Sequence, residues 1–189
     1  MNSLYQKIQK VETLQKSADN QTLKFKHLMK TDCIEHCSEC CRYNEIEATT
    51  LEFMPLAWHA YKLGLIENWL KELENYDKSQ CFFSIFENGK WGCKIYPVRG
   101  MICRLFGFSA ILDKNNKPKW AVCKTLKKVC PDLITKYNEY IKKHNKIPII
   151  SEYYLKLENI DFYLSQERLP INIAIKNALE MVFNHFFYL

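Results

Sequence analysis

The sequence predicts an α+β fold, mostly helical, and three features predict it. Apolar residues recur at helical spacing toward both ends of the chain, while one strong hairpin signal, centred on Asn88-Gly89, sits in its middle. Nine cysteines occupy the region between, four of them within Cys-Ile-Glu-His-Cys-Ser-Glu-Cys-Cys from Cys33 to Cys41. Short cysteine loops that share an ion staple surrounding elements together, so we expect metal-stapled loops and a short β-hairpin packed among helices. The 189 residues are enough for one domain with extensions. We divide them into an N-terminal helical extension (1–30), a cysteine-cluster metal-binding domain (31–132) and C-terminal helices packing on it (133–189).

Leu4, Ile8, Val11 and Leu14 give residues 3–17 an amphipathic helical period, and the polar stretch Ser17 to Gln21 is expected to break or cap it. A second helical piece, Leu23 to Met29, leads into the cysteine loop. His27 and His36, beside a full set of thiols, are expected to face solvent. Thr49-Thr50-Leu51-Glu52 has the form of a capping box, starting a helix through Trp58, Tyr61 and Leu63 toward Gly64 with a bend at Pro55. Ile66 to Tyr76 forms a further helix; Trp58 and Trp69 are core residues and His59 is partly buried.

Asn88-Gly89 is the preferred pair for a two-residue type I′ turn. The resulting register sets Cys93 opposite Ser84 and points Cys81 to the other side of the ribbon. Either a bulge at Gly92 corrects this facing or the two thiols serve different centres. Another strand pair surrounds Asp113 to Pro118, and a lysine-rich helical turn separates Cys123 from Cys130. Helical patterns follow through Leu133 to Ile141, Tyr153 to Asn159 and Ile171 to Phe187. The aromatic end, Phe186, Phe187 and Tyr188, is a candidate exposed patch.

Nothing in the sequence resembles a signal peptide and no apolar run approaches a bilayer's thickness, so a soluble, cytoplasmic protein with reduced thiols is expected. An odd number of cysteines also argues against an all-disulfide scheme. Metal binding is the leading reading of the thiols. Adjacent side chains usually diverge, so Cys40 and Cys41 are expected to serve two centres, or one to ligate while the other packs. Cys103 lies between two arginines, and Arg99 and Arg104 either offset thiolate charge or form ordinary surface salt bridges. The formal charge of +6 counts thiols as neutral; eight thiolates around two zinc dications lower it by four, to +2. The lysine-rich segments (Lys24 to Lys30, Lys124 to Lys128, Lys142 to Lys146) therefore read as solvated faces rather than phosphate tracks, and nucleic acid is not an expected partner.

Cys37-x-x-Cys40-Cys41, Cys81-Phe-Phe, Gly92-Cys93-Lys-Ile-Tyr96-x-x-Arg99-x-x-x-Cys103-Arg104-x-Phe106 and Cys130-Pro131 together resemble the CxxCxxCC cysteine-cluster family, the YkgJ-like zinc- or iron-chelating domains. The resemblance spans roughly residues 30 to 132. It implies a ligand set of Cys33, Cys37, Cys40, Cys41, Cys81, Cys93, Cys103 and Cys130, with Cys123 as the extra thiol. Three residues instead of two separate the first two cysteines, Ser38 stands where a Gly is usual, and Gly100 and Gly107 stand where Pro is usual. These departures concern backbone geometry more than the ligands.

The resulting expectation is a metalloprotein holding an Fe-S cluster or Zn2+ in one or two centres, with a redox or metal-handling role that extends to Fe-S oxidoreductase-like chemistry. Phe82, Phe83, Phe86, Trp91 and Phe106 are the expected hydrophobic cover. The alternative is a structural zinc module presenting helices to a protein partner. The cluster also resembles that of flagellin lysine methylases, which implies an accessory role in protein-lysine modification. No nucleotide-binding glycine loop and no acid-base constellation outside the cluster adds to that reading.

Overall fold

Ser3 starts the first helix by a reciprocal cap: its hydroxyl accepts from Gln6 N at 3.2 Å, and the Gln6 side chain accepts from Ser3 N at 2.9 Å. The computed structural model describes residues 3–43, 46–76, 80–144 and 147–187, with the side chains of 142–144 left aside. Tyr188 and the end of the Lys142 to Lys146 run lie outside them. Helix α1 then runs without interruption over Leu4–Met29, so the expected break at Ser17 to Gln21 does not occur. Its middle is held by tertiary partners. Gln15 donates to the Glu52 carbonyl at 2.8 Å, Ala18 is fully buried, and Asp19 pairs with two arginines. These contacts outweigh the weak helix preference of serine, aspartate and asparagine. The helix ends at Lys30, in the left-handed region at φ 50°, where returning amides satisfy the last carbonyls.

The chain continues through α2 (Glu39–Arg42), β1 (Glu47–Ala48), a 3₁₀ turn at Leu51–Phe53, α3 (Met54–Lys62) and α4 (Ile66–Glu74). Pro55 falls in the first turn of α3, where a missing N–H costs nothing, so it opens the helix instead of bending it. Strands β2 (Ser84–Glu87) and β3 (Lys90–Cys93) form the expected hairpin with Ser84 opposite Cys93. Positive φ at both Asn88 (52°) and Gly89 (75°) makes the type I′ turn. A 3₁₀ turn at Tyr96–Val98, α5 (Met101–Leu105), β4 (Ala110–Leu112), β5 (Pro118–Trp120), α6 (Lys124–Val129) and α7 (Leu133–His144) follow. The chain closes with α8 (Ile150–Ile160), α9 (Phe162–Gln166), β6 (Leu169–Pro170) and α10 (Ile171–Phe187). Helix α9 and the β1–β6 pair carry no periodic signal in the sequence; the pair forms because the chain entering α10 is laid beside residues 47–48.

Two apolar cores organise these elements. In the larger, α10 packs on α3 and α4, and the first half of α1 joins with Met101 and Leu105 of α5 and Tyr153 and Leu157 of α8. The smaller gathers Phe25 and Met29 from the end of α1 with Phe108, Trp120, Leu126, Leu133 and Tyr137. Helix α1 thus belongs to both. At the C-terminus Phe186 stacks near Trp58 and Tyr61, so it covers the core, while Phe187 is 59% exposed. Among the described residues no helix is long and apolar enough to cross a membrane.

Candidate metal centre

The turn ending α1 delivers Cys33. Asp32 holds it, accepting from Cys33 N at 2.6 Å and from Lys26 Nζ at 2.7 Å. The loop that follows uses left-handed backbone at His36 (φ 58°) and Ser38 (φ 42°) to fold back on itself, with Cys41 N donating to Ser38 O at 2.9 Å. That turn puts Cys40 and Cys41 on α2 with their sulfurs 3.9 Å apart. The expectation that this pair diverges is therefore corrected: one short helix turns both sulfurs to the same cavity. His27 and His36 are exposed, His36 beside Glu35 at 3.1 Å.

Cys81 comes to this pair through the backbone, its N–H donating to the Cys41 carbonyl at 2.8 Å. Asn172 of α10 clamps the segment from both sides, accepting from Phe82 N and donating to Gln80 O, each at 2.9 Å. Cys81 precedes β2, so the facing rule of the ribbon does not apply to it. It opens onto the same cavity as Cys93, with Gly92 regularly paired to Ile85 and no bulge there. Cys103 rides on α5, whose first turn is fixed by Glu52: the carboxylate accepts from Ile102 N at 2.7 Å and from Thr49 N at 2.8 Å. The capping box is thus also a brace between α5 and the start of α3.

Eight cysteines, Cys33, Cys37, Cys40, Cys41, Cys81, Cys93, Cys103 and Cys123, line one cavity of about 400 Å³. Cys130 does not; it packs against the smaller core. The apolar walls come from both cores, Phe53, Ile102 and Ile171 on one side and Phe108 and Leu126 on the other. Of the expected aromatic cover only Trp91 and Phe106 reach the cavity. Phe83 is buried against Trp69, Phe82 packs on Tyr76 and Phe83, and Phe86 is 58% exposed on the outer face of the hairpin.

The thiols differ in acidity for local reasons. A hydrogen bond from Cys41, opposed by burial and helped by the Ile95 N–H and Arg99, brings Cys93 down to about 7. Cys41 also lowers Cys40 by the same means, and Cys41 itself is pushed up. A thiol has one proton, so Cys41 can serve only one of these two acceptors at a time. Burial pushes Cys81 up to about 12 and Cys103 well above the ordinary thiol range. Deprotonating those enclosed sulfurs requires a positive charge brought to them, which a metal ion provides.

A family model described as "Putative zinc- or iron-chelating domain" (CxxCxxCC) matches residues 32–131, more than half of the 189-residue chain and a span that takes in all nine cysteines. The chain belongs to this family. No curated protein matches it, and no solved structure does. The zinc- or iron-chelating domain of the family is thus the part of the chain that carries every cysteine.

Whether the cavity suits such a centre is tested by its own groups. The donors are soft thiolates, as zinc and iron–sulfur centres require. Arg99 Nε is buried beside them with no hydrogen-bond partner, and its guanidinium lies 3.8 Å over the Tyr96 ring. An anionic metal–thiolate group supplies both an acceptor and a countercharge for it. Arg104 is committed elsewhere, donating to the Arg99 and Pro97 carbonyls at 3.0 and 2.8 Å and to Asp19. It is buried, so the surface-salt-bridge reading fails for it; it fixes the backbone around Arg99 and ties it to α1. Among the described residues no three potential ligands are placed tightly enough to hold one ion, so ligation requires the sulfurs to draw together. The residues fit a metal centre by the chemistry of their donors and by lining one cavity.

The chelating domain also depends on residues that sequence reasoning missed. Asp19 was hidden by the expected helix break; continued helical spacing would have put it on one face with Gln15 and Thr22. Asn172 has no local signal, since its partners lie some ninety residues away. Cys123 was visible only as the ninth cysteine.

Proposed function

We propose that this chain is a thiolate metalloprotein holding an Fe-S cluster or zinc, in one or two centres, with a redox or metal-handling role. The observation that carries this is eight sulfurs opening onto one cavity of about 400 Å³ with apolar walls. Cys40, Cys41, Cys81, Cys93 and Cys103 are the deepest candidate ligands, and Arg99 is the group available to balance their charge. An iron–sulfur group, when bound, supplies one-electron chemistry, whereas zinc supplies structure or a Lewis acid. The protein's own part is to keep the sulfurs reduced under apolar cover from Trp91, Phe106 and Phe108 and to hold a cation beside them. Anaerobically purified protein, grown with iron and zinc both available, should be brown and contain stoichiometric iron and acid-labile sulfide. A colourless, zinc-loaded protein ends the redox reading, and a metal-free one ends both.

A second reading, a structural zinc module serving a protein partner, is favoured by the placement of the ligands. They sit on short segments with little core of their own: the 33–41 loop, the hairpin and the five-residue α5. Ligation worth roughly 10 kcal/mol or more would then decide whether these segments fold. Cooperative loss of helix on chelation, with no redox couple, would favour this module.

A further inference from the structure

We propose that the β4–β5 hairpin and α6 form a docking surface for an acidic protein segment that carries aliphatic side chains among its carboxylates. This goes beyond the metal-binding reading and does not depend on which ion the thiols hold.

The formal charge of the chain is concentrated here. Between Ile111 and Val129 stand Lys114, Lys117, Lys119, Lys124, Lys127 and Lys128 against Asp113 alone, six positive charges and one negative, which is +5 of the total of +6. Asp113 is occupied by its own loop, accepting from the Asn115 and Lys117 amides at 2.8 Å each. All six lysines are exposed, and among the described residues none of them forms an ion pair. The excess ends with α6, since Lys136 beyond it stands between Asp132 and Glu139.

The fold turns these lysines outward. On α6, Lys124, Lys127 and Lys128 fall at i, i+3 and i+4, one face of the helix, while Leu126 on the other side is buried in the smaller core. On the hairpin Trp120 is buried in the same core, so its neighbour Lys119 points away from it, paired across the strands with Ile111. Ile111 is 49% exposed, Val129 is 61% exposed and Leu112 is exposed as well, which gives the cationic surface an aliphatic component. The same segment reaches the cavity. Cys123 and Leu126 line it, and the Lys124 ammonium lies 5.5 Å over the ring of Tyr43, which packs on the cavity-lining Phe106. A partner seated on these lysines is therefore beside the thiols.

The residue types select among anionic partners. The stretch has no arginine for bidentate phosphate contacts, and its one aromatic residue, Trp120, is buried, so no ring is offered for a base to stack on. Helix α6 has six residues and spends Leu126 in the core, so no apolar helix face is left to enter a lipid surface. Carboxylates to meet the ammonium groups, with aliphatic side chains to meet Ile111, Leu112 and Val129, complete the surface. Lysine charges in water speed encounter more than they prolong it, so the complex is transient and sensitive to salt.

The test uses the full chain, reduced and anaerobic, with three probes followed by fluorescence anisotropy or co-sedimentation: a labelled peptide Glu-Glu-Leu-Glu-Glu-Leu-Glu-Glu, a single-stranded thymidine oligonucleotide, and vesicles of mixed phosphatidylserine and phosphatidylcholine. The peptide should bind most tightly. Combined Lys119→Gln, Lys127→Gln and Lys128→Gln should weaken it at least about tenfold, whereas Lys10→Gln, Lys16→Gln and Lys71→Gln, which remove the same charge from exposed lysines elsewhere, should leave it within about twofold. Replacing the leucines of the peptide by serine should weaken binding several-fold. Should the first triple variant fold poorly, acetylation of the wild type mapped by mass spectrometry gives the answer without substitution: bound peptide should protect Lys119, Lys127 and Lys128 and leave Lys10, Lys16 and Lys71 reactive. Equal losses in the two triple variants, protection spread over all six lysines, tighter binding of the oligonucleotide or the vesicles, or no binding of the peptide at low salt overturns the proposal.

Discussion

Glu52→Gln isolates the brace that positions Cys103. The carboxylate has no exposed surface, and both oxygens are engaged: Oε1 accepts from Thr49 N at 2.8 Å and from the Tyr154 hydroxyl at 3.2 Å, and Oε2 accepts from Ile102 N at 2.7 Å. Alanine would strand three donors at about 1–3 kcal/mol each, a loss comparable with the whole stability of many domains. Glutamine keeps the volume and one acceptor but turns the other into an N–H that meets a backbone N–H. One unpaired amide costs about 2 kcal/mol, which in a chain of this size lowers Tm by about 4–8 °C. Burial, opposed by the Thr49 and Ile102 amides, Arg168 and Tyr154, raises the Glu52 pKa. The folded state therefore holds the proton more tightly than the unfolded one. The stability this gives is full below the ordinary carboxylate value and is lost as pH rises through the folded value. Glutamine does not titrate, so its deficit against wild type should be largest near about pH 5 and smaller near about pH 8. Thermal unfolding followed by circular dichroism at both pH values reads this directly. A deficit that grows with pH, or none at all, would refute the claim that a buried carboxylate braces α5.

Ser38→Gly removes a side chain from left-handed backbone (φ 42°) and should stabilise the reduced protein by about 1 kcal/mol, read from denaturant midpoints. Gly100→Ala places a Cβ 2.7 and 2.8 Å from the buried Phe53 ring, so a loss of about 1–3 kcal/mol is expected, together with lower metal content because Phe53 also walls the cavity. Asp161 caps α9 and pairs with Lys7 at 2.6 Å; against the effect of burial, these partners lower its pKa. Its contribution is present above the ordinary aspartate value and lost as pH falls through the lowered one. Asp161→Asn should thus cost about 1 kcal/mol at neutral pH and nothing in strong acid, measured by unfolding across pH.

Local chemistry carried much of the fold. The Asn88-Gly89 turn needs only two positive φ values and suitable flanks, and the Thr49-to-Glu52 cap needs only three residues of spacing, so both were legible. The Ser17 to Gln21 stretch was misread because propensity is a fraction of a kcal/mol per residue there, and Arg99 and Arg104, the partners of Asp19, lie eighty or more residues away. Pro55 was misread by one turn. The same residue bends a helix interior and opens a helix start, and the boundary between the two is set by the 3₁₀ turn before it.

In the site, cysteine spacing gave the chemistry, since short-range thiol pairs reflect what one loop can turn inward. It could not say that Cys40 and Cys41 face one cavity, that Asn172 clamps Cys81, or that Arg99 rather than Arg104 keeps a free N–H. The number, kind and local loops of the sulfurs are properties of the chain by itself, because they follow from residue identity and a few dihedral angles. Which sulfurs meet, and that Cys123 stands at the cavity while Cys130 is turned away, is decided by the packing of α1 across two cores and by the rise of one short helix, neither of which any local stretch encodes.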